Sequence, residues 1–537
     1  MNRMTNDRYR LAPSTAFEPL INRWPVWSDM ISPLPYSLHL ANYQLKTLES
    51  YLKKPAIHLK AARNPKLAGG PFVDIPEERA GEVEELLNRT REEQEGNLRL
   101  ARAATEFQNR LAKEAVGQSI EPFYQELPEE LRGSVELLYD YYSHPIVRFM
   151  ESFLYRGEFY RPSLQSLQLF WQPRDDSRAF FLSTPRLPAE GAIDWPVSFD
   201  DPRIDELSKL DLEPQPLERI REILGGASGN GSLEALLTSE PPPQPNDWKG
   251  PGLRIRYFGH ACVLVEYNGV SVMTDPWLAV VSEDHEVERL SVEDLPTKID
   301  FALISHGHHD HFVLETLLRL RHRLGTLVVP RSYGMFYADT SLRLAARQCG
   351  FDSVVELDAF DSLAFPGGEI VGVPFFGEHA DLAHGKSGYV VRAGDQKVLL
   401  AADSNCLDPQ VYKNLRKDLG RIQTAFLGME CVGAPLSWLY GALMPVKLPR
   451  SHDQSRRTQA CNSERAHQLL EAIGSDRVYN YAMGSEPWLE YAMGLGEPGD
   501  SPQARESDKF IGEVREKGIE DARRLYGTFE LQLPVAG

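Results

Sequence analysis

The spacing of hydrophobic residues changes near the middle of the chain. In the first half the spacing is mainly helical, and Val83, Leu87 and Leu111 lie on one apolar stripe. The stripe runs through a segment rich in Glu, Arg, Leu and Ala, so it predicts a helix over residues 77–115. We expect Gly96 to kink or break that helix, because glycine destabilises a helix interior.

Two further patterns complete the first half. Residues 134–156 carry apolar side chains at helical spacing and predict a second, more buried helix. Residues 167–171 and 179–182 alternate in the manner of strands. The first half is therefore predicted to be mixed α/β, with helix dominant.

The second half is dominated by strand patterns. Leu253, Ile255 and Tyr257 alternate with arginines, which is typical of a half-buried strand, and Asn268-Gly269 between two β-branched runs favours a hairpin. Further strands are predicted at 300–304, 326–330, 370–376, 388–392, 397–401 and 424–429. Helices are predicted at 313–321, 340–348 and 463–473. This order predicts two sheets covered by helices.

A linker separates the two halves. Residues 225–232 are rich in Gly and Ser, and residues 241–245 are rich in Pro, so neither composition builds a packed core. We place an N-terminal domain at 1–240, a linker at 241–252 and a second domain at 253–537. The N-terminal domain shows no catalytic constellation, and we expect it to serve docking, dimerisation or substrate covering. Its isolated histidines are interpreted as structural; they are His39, His58 and His144.

The charge balance excludes some partners. The chain has 58 Lys+Arg against 77 Asp+Glu, a formal net charge of −19. Neither nucleic acid nor an anionic membrane surface is an expected partner, because both attract basic surfaces. No apolar run approaches the ~20 residues of a spanning helix, and no signal peptide is visible. The five cysteines include no CxxC pair, which favours free thiols in a reducing cytoplasm.

The clearest candidate chemistry is a histidine cluster. Four of the 14 histidines lie in residues 305–311, Ser-His-Gly-His-His-Asp-His, directly after a predicted strand. Imidazoles and a carboxylate packed this closely would repel one another or stay unsatisfied without a bound ion. A divalent metal removes that conflict. His306 and His308 are placed to bind one ion, while Asp310 and His311 reach a second. The alternative interpretation is a histidine-rich surface loop.

The spacing His306-x-His308-x-Asp310-His311 resembles the dinuclear metal motif of the metallo-β-lactamase superfamily. Residues 258–277 are similar to the opening of that fold, and the resemblance covers roughly residues 252–495. It implies an α/β fold class: a C-terminal metallo-β-lactamase-like αββα sandwich, preceded by a separate, helix-rich, mixed α/β N-terminal domain. It also implies that Asp403, after another apolar strand, bridges both metals.

Two acids that follow strands are further candidate ligands. Glu378 follows a predicted strand at a position where the zinc hydrolases usually carry a histidine ligand; His379 is adjacent and is the alternative. Glu430 ends another strand, and it either binds the second metal or accepts a hydrogen bond beside it. No histidine follows the last predicted core strand at 478–482, where the hydrolases have one.

The exchange of histidines for carboxylates favours iron over zinc. Zinc prefers nitrogen and sulfur in compact sites, whereas carboxylate-rich dinuclear sites are typical of iron and manganese. The predicted ligand set is therefore oxygen-rich and indicates oxygen chemistry rather than hydrolysis. The alternative is a dinuclear zinc or manganese hydrolase of the lactonase or phosphodiesterase type, and a further alternative is a metal-binding scaffold without catalysis.

The complete layout is similar to the diiron β-hydroxylase family of chloramphenicol biosynthesis. The resemblance implies two iron ions, dioxygen as co-substrate and an external electron donor of the reductase or ferredoxin type. It implies hydroxylation at the β-carbon of an amino acid that is held as a thioester on a carrier domain of a nonribosomal peptide synthetase. It further implies a homodimer formed through the N-terminal half. Another oxidation, such as N-oxygenation, remains an alternative.

Two basic segments and several aromatic residues stand outside this motif. The segment 319–323 is interpreted as solvated surface charge, whereas the segment 447–457 is a candidate contact for a phosphopantetheine phosphate. Trp438, Tyr440 and Tyr481 are interpreted as core residues, with a substrate pocket as the alternative.

Overall fold

The computed structural model describes residues 8–229, 231–335, 337–377, 385–494 and 501–535. In these residues the second half forms two seven-stranded sheets. In spatial order, the first sheet contains Val354–Leu357, Leu324–Pro330, Ile299–Leu303, Val270–Thr274, Cys262–Tyr267, Leu253–Gly259 and Phe529–Leu533. The second contains Ser362–Phe365, Gly368–Val373, Gly388–Ala393, Gln396–Leu400, Thr424–Gly428, Arg477–Tyr481 and Ala522–Arg524.

The predicted hairpin and strands are confirmed. Tyr267 pairs with Val270 across Asn268 and Gly269, whose φ angles are 51° and 77°. Two successive positive φ angles make the tight turn whose twist matches that of the strands. The other predicted strands lie within a few residues of their expected ends. In each sheet the central strands are parallel, so their carboxyl ends lie along one edge.

Helices cover the outer faces of both sheets, which gives the predicted αββα sandwich. The core between the sheets contains alternate residues of both, for example Ile255, Val263, Val391, Phe426 and Tyr479. The helices that the structure describes in this half are Leu314–Leu320, Leu342–Gln348, Pro409–Leu419, Leu436–Tyr440, Arg450–Ser455, Ser463–Ile473, Glu490–Met493 and Pro502–Glu516. The predictions at 313–321, 340–348 and 463–473 are thereby confirmed.

The N-terminal half is mixed, as predicted. Its described strands are Arg8–Leu11, Thr15–Ile21, Trp24–Pro25, Val135–Tyr139, Pro145–Phe149, Gln165–Trp171, Ala192–Pro196, Gln215–Pro216 and Leu237–Thr238. Its described α-helices are Ser28–Ile31, Pro33–His39, Leu45–Lys53, Pro55–Ala62, Ala80–Glu93, Glu95–Glu114, Glu151–Leu154, Arg203–Ser208 and Leu217–Ile223. The long helical segment breaks at Gln94 rather than at Gly96, and the buried Gln94 side chain accepts a hydrogen bond from Tyr36.

The predicted helix at 134–156 is wrong. Val135–Tyr139 and Pro145–Phe149 form an antiparallel hairpin, and only Glu151–Leu154 is helical. Leu137 and Val147 lie opposite each other and are buried, so burial follows a two-residue period. Pro145 is the signal that the helical interpretation neglected, because proline disfavours helix in the residue before it.

The strand predicted at 179–182 is also wrong, since this segment is irregular and turns. Phe181 in that turn stacks on His309 at a centroid distance of 5.7 Å. A contact with the histidine loop, rather than sheet pairing, therefore explains its hydrophobic character.

The basic segment 319–323 is buried, which corrects the surface interpretation. Arg319 pairs with Asp211 at 2.9 Å and Arg321 with Asp205 at 2.9 Å, so both join the second half to the N-terminal half. One hydrophobic core, which includes Phe17 and Leu317, likewise contains residues of both halves. Buried cations require such partners, because desolvation of an unpaired charge is costly. Among the described helices none is long and apolar enough to cross a membrane.

Candidate metal centre

The candidate metal ligands lie at one edge of the sandwich. His306, His308 and His311 follow the strand Ile299–Leu303, and Asp403 follows the strand Gln396–Leu400. The spacing of residues 306–311 brings their side chains together because the loop turns sharply. The amide of His311 donates to the carbonyl of His308 at 3.2 Å. The turn directs side chains two to five residues apart toward one point.

One group of ligand atoms surrounds Asp403. Its Oδ2 lies 2.7 Å from His311 Nε2 and 3.8 Å from His306 Nε2. His308 Nδ1 lies 3.0 Å from His306 Nε2. The structure thus brings together these four residues that the sequence predicted, all of them buried.

A second group adds a histidine that the sequence analysis did not select. His260 Nε2 lies 3.2 Å from Asp310 Oδ2, and Asp310 Oδ2 lies 3.6 Å from His311 Nε2. His260, Asp310 and His311 therefore offer three ligand atoms within 4.8 Å of one another. The available signal was a histidine directly after a strand end, at Gly259-His260.

The outer nitrogens of the three motif histidines are each held by a hydrogen-bond partner. His306 Nδ1 lies 2.9 Å from Ser305 Oγ, and His311 Nδ1 lies 2.8 Å from Asp275 Oδ2. His308 Nε2 lies 2.5 Å from the hydroxyl of Tyr440. Such partners fix the tautomer and the ring orientation of histidines that bind metals. The nitrogens that face one another on the inner side are Nε2 of His306 and His311 and Nδ1 of His308.

Backbone strain is concentrated around these residues. His260, Asp275, Ala402 and Ala482 all have φ angles between 35° and 52°, in the left-handed region that side chains disfavour. Each such residue costs on the order of 1 kcal/mol or more. Ala402 N donates to the hydroxyl of Tyr481 at 2.8 Å, so this strained turn is fixed before Asp403. Tyr481 is thus a core residue, as interpreted from the sequence.

Electrostatics favour a bound cation. Burial alone would lower the pKa of His311, but Asp403, Asp310 and Asp275 together raise it well above its usual range. Desolvation, followed by repulsion from Asp403 and Asp310, raises the pKa of Glu430 well above its usual value. Glu430 is therefore close enough to Asp403 and Asp310 to share their electrostatic field. Glu378 and His379 lie outside the described residues.

A cavity of about 330 Å³ opens beside the histidine loop. His308 and His309 line one side, and Trp438 and Tyr440 line another. The N-terminal half closes the remaining side with residues that include Trp27, Asp29 and His39. Trp438 is thus a cavity residue, which corrects the core interpretation, whereas Tyr440 belongs to a hydrophobic core and also lines the cavity, as does His39.

The sequence matches known proteins over nearly its whole length. Residues 10–241 match the model of the diiron non-haem β-hydroxylase N-terminal domain, and residues 254–406 match the β-lactamase superfamily domain. A carrier-protein-dependent 4-amino-L-phenylalanyl 3-hydroxylase of Streptomyces venezuelae is 34% identical over 98% of this chain and 100% of that protein. The chain belongs to the diiron non-haem β-hydroxylases.

Solved structures agree with this family. The crystal structure of CmlA, a diiron β-hydroxylase from Streptomyces venezuelae, superposes with a TM-score of 0.89 at 32% identity, covering 98% of this β-hydroxylase and 100% of that chain. A Pyrococcus abyssi protein is 27% identical over 30% of this chain and 65% of its own length. The full-length matches make the hydrolase alternative less well supported, and the family's cofactor is a pair of irons that use dioxygen.

The residues of this β-hydroxylase fit an iron pair. Among described residues, Asp403 Oδ1 and His260 Nδ1 are buried without a hydrogen-bond partner, while His311 Nε2 and His260 Nε2 face carboxylate oxygens at 2.7 and 3.2 Å. Buried polar atoms usually have partners, so this concentration indicates atoms kept for metal coordination. Mixed imidazole and carboxylate donors suit iron.

Removal of the Tyr440 hydroxyl is a direct test of the hydrogen bond to His308. We expect Tyr440→Phe to weaken iron binding about 10- to 100-fold, because partners of ligating histidines typically contribute that much to metal affinity. Iron retention against a competing chelator measures the effect. Tyr142→Phe, at an exposed hairpin position, is the matched control. Equal iron retention by both variants would exclude a positioning role for Tyr440.

Proposed function

We propose that this protein is a diiron monooxygenase that hydroxylates the β-carbon of an amino acid held as a thioester on a nonribosomal peptide synthetase carrier domain. The observation that carries the proposal is the full-length match to the 4-amino-L-phenylalanyl carrier-protein 3-hydroxylase. The cavity beside His308 and His309 supports it, because a side chain placed there lies next to the candidate ligands.

We assign the ligands as follows. His306, His308, Asp310, His311 and Asp403 are supported by their convergence in the structure. Glu378 is assigned by the family resemblance alone, and Glu430 is the least certain ligand. His260 joins the set on its distance to Asp310.

The protein's own residues orient and protect the reaction. When bound, the irons and dioxygen supply the oxidising power that replaces a C–H bond by C–OH, with two external electrons and two protons reducing the second oxygen atom to water. Ser305, Asp275 and Tyr440 keep the ligating nitrogens directed inward. Trp27, Leu182 and Leu439 give the cavity apolar walls that limit water near the substrate.

The partners follow from this reaction. The carrier domain presents the substrate, and Lys447 at the exposed side of the cavity is a candidate contact for the phosphate of its prosthetic arm. A reductase or ferredoxin-type protein supplies the electrons, and we further propose a homodimer. All five cysteines are free thiols, most of them buried, which supports a cytoplasmic location.

Anaerobic iron loading followed by single-turnover oxidation tests the proposed function. The protein is reconstituted with ferrous iron, mixed with a 4-amino-L-phenylalanyl carrier domain and other aminoacyl carriers, and then exposed to oxygen. We expect about two irons per chain by the family's stoichiometry and a mass increase of one oxygen atom on one bound amino acid, located at the β-carbon by fragmentation. Thioester hydrolysis without oxygen insertion, supported by zinc, would instead establish the hydrolase alternative.

A further inference from the structure

The cavity contains a carboxylate that has no assigned role in metal binding. Asp29 lies on the short helix Ser28–Ile31 of the N-terminal half; its side chain is 13% exposed and lines the cavity together with His308. Its carboxylate accepts no hydrogen bond from any residue that the structure describes. Its nearest charged neighbour is His39, at 3.8 Å, so a cationic group in the cavity would supply the hydrogen bonds that the carboxylate lacks.

His39 lies behind Asp29. Its Nε2 is 3.8 Å from Asp29 Oδ2, too far for a hydrogen bond, and this buried nitrogen has no other partner among the described residues. The ring is held edge-on to Trp27, at a centroid distance of 5.1 Å. The cavity wall therefore presents a carboxylate that accepts no hydrogen bond from the described residues, with the enclosed His39 nitrogen 3.8 Å from it.

The position of Asp29 relative to the metal loop is fixed. The neighbouring Ser28 hydroxyl donates to the carbonyl of Gly307, which lies between His306 and His308. The helix that carries Asp29 is thus attached to the loop that carries the candidate ligands. A group bound by Asp29 lies beside the centre rather than at the far end of the cavity.

The charge of the lining identifies what Asp29 would bind. The other carboxylate of the lining, Asp453, accepts hydrogen bonds from the Ser437 amide and hydroxyl at 2.7 and 2.8 Å, so it is already engaged. Asp29 is therefore the carboxylate available to a cation. An aminoacyl thioester carries such a cation, because its α-amino group is largely protonated near neutral pH.

We propose that Asp29, supported by His39, binds the α-ammonium group of the aminoacyl thioester. The inference rests on the proposed function and adds the residue that selects an amino acid over a simple acyl group. The α-ammonium is separated from the β-carbon by the α-carbon alone. Fixing it therefore directs the β-carbon toward the metal loop, and such positioning is a major source of rate in enzymes.

A pair of substrates isolates this contact. The probes are 4-amino-L-phenylalanyl-carrier and its des-amino analogue, 3-(4-aminophenyl)propanoyl-carrier, bound to the iron-loaded protein without oxygen. We expect the native protein to bind the aminoacyl carrier about 10- to 100-fold more tightly than the des-amino carrier, because a hydrogen bond to a charged group contributes roughly that much to affinity. Asp29→Asn should reduce this preference to less than about threefold, with unchanged binding of the des-amino probe, while Asp29→Glu should restore part of it.

Controls separate the possible failures. Glu85→Gln removes an exposed acid of the N-terminal half and should leave the preference unchanged. Iron content is measured for each variant, since a merely structural effect of Asp29→Asn would lower it or weaken both probes equally. An unchanged preference in Asp29→Asn overturns the assignment. Failure of the native protein to bind or hydroxylate any aminoacyl carrier would overturn the proposed function instead.

Discussion

Replacement of Asp403 by asparagine is expected to abolish hydroxylation and to reduce the bound iron from about two ions to one or none. Asp403 approaches both His306 and His311, and its Oδ1 has no hydrogen-bond partner among described residues. An amide has nearly the same shape but lacks the negative charge that would hold cations beside His306 and His311. We expect activity to fall by more than about 100-fold, beyond the effect of losing a hydrogen-bond partner of a ligand.

The measurements are iron content by elemental analysis and oxygen insertion in a single turnover. Asp418→Asn, at an exposed site on the helix Pro409–Leu419, is the matched control and should behave as the native protein. The thermal unfolding of metal-free Asp403→Asn tests whether the variant still folds. Full retention of two irons by a folded variant would show that Asp403 does not bridge the metals.

The second large effect concerns stability and arises at the contact between the two halves. Glu18 is 1% exposed and pairs with Arg186 at 2.7 Å and with Arg178 at 2.9 Å. Arg178 also pairs with Glu315 of the second half at 2.7 Å. Glu18→Gln leaves two buried arginines with one acid, and we expect it to lower the free energy of unfolding by about 3–5 kcal/mol.

The same group predicts a pH dependence. Burial raises the pKa of Glu18, but Arg186 and Arg178 outweigh it and lower the pKa from 4.5 to about 2. A carboxyl group with a lowered pKa in the folded state stabilises the protein fully above its unfolded pKa. A shift of this size corresponds to about 3 kcal/mol in the free energy of unfolding. This contribution of Glu18 should therefore be lost as the pH falls from about 4.5 to about 2.

Chemical unfolding at pH 7 and at pH values below 4.5 measures both effects. Glu218→Gln, which removes an exposed acid, should change neither stability nor its pH dependence. If Glu18→Gln unfolds at the same denaturant concentration as the native protein at pH 7, the buried ion pairs contribute nothing net to stability. In that case the packing shared by the two halves, rather than the charges, holds this contact together.

Local patterns were sufficient wherever the deciding interactions are close in sequence. The motif from His306 to His311 predicted a metal centre, because a single turn brings those side chains together. The alternation around Asn268-Gly269 predicted the hairpin, because a strand shows its two faces in adjacent residues. The sequence also placed Asp403 and Glu430 after strands of one sheet, whose parallel carboxyl ends share an edge. Glu378 remains a prediction of the resemblance.

Only the tertiary structure decided the features that depend on distant contacts. Tyr440 lies 132 residues from its partner His308, so no local spacing reveals the hydrogen bond. The sequence around Arg319 indicates surface charge, but in the structure Arg319 is buried and donates to Asp211, which is 108 residues away. Asp29 and His39 became cavity residues because the N-terminal half packs over the metal loop. Sequence periodicity reports which face of an element is buried, but it does not report which distant element covers that face, and this choice completes the site.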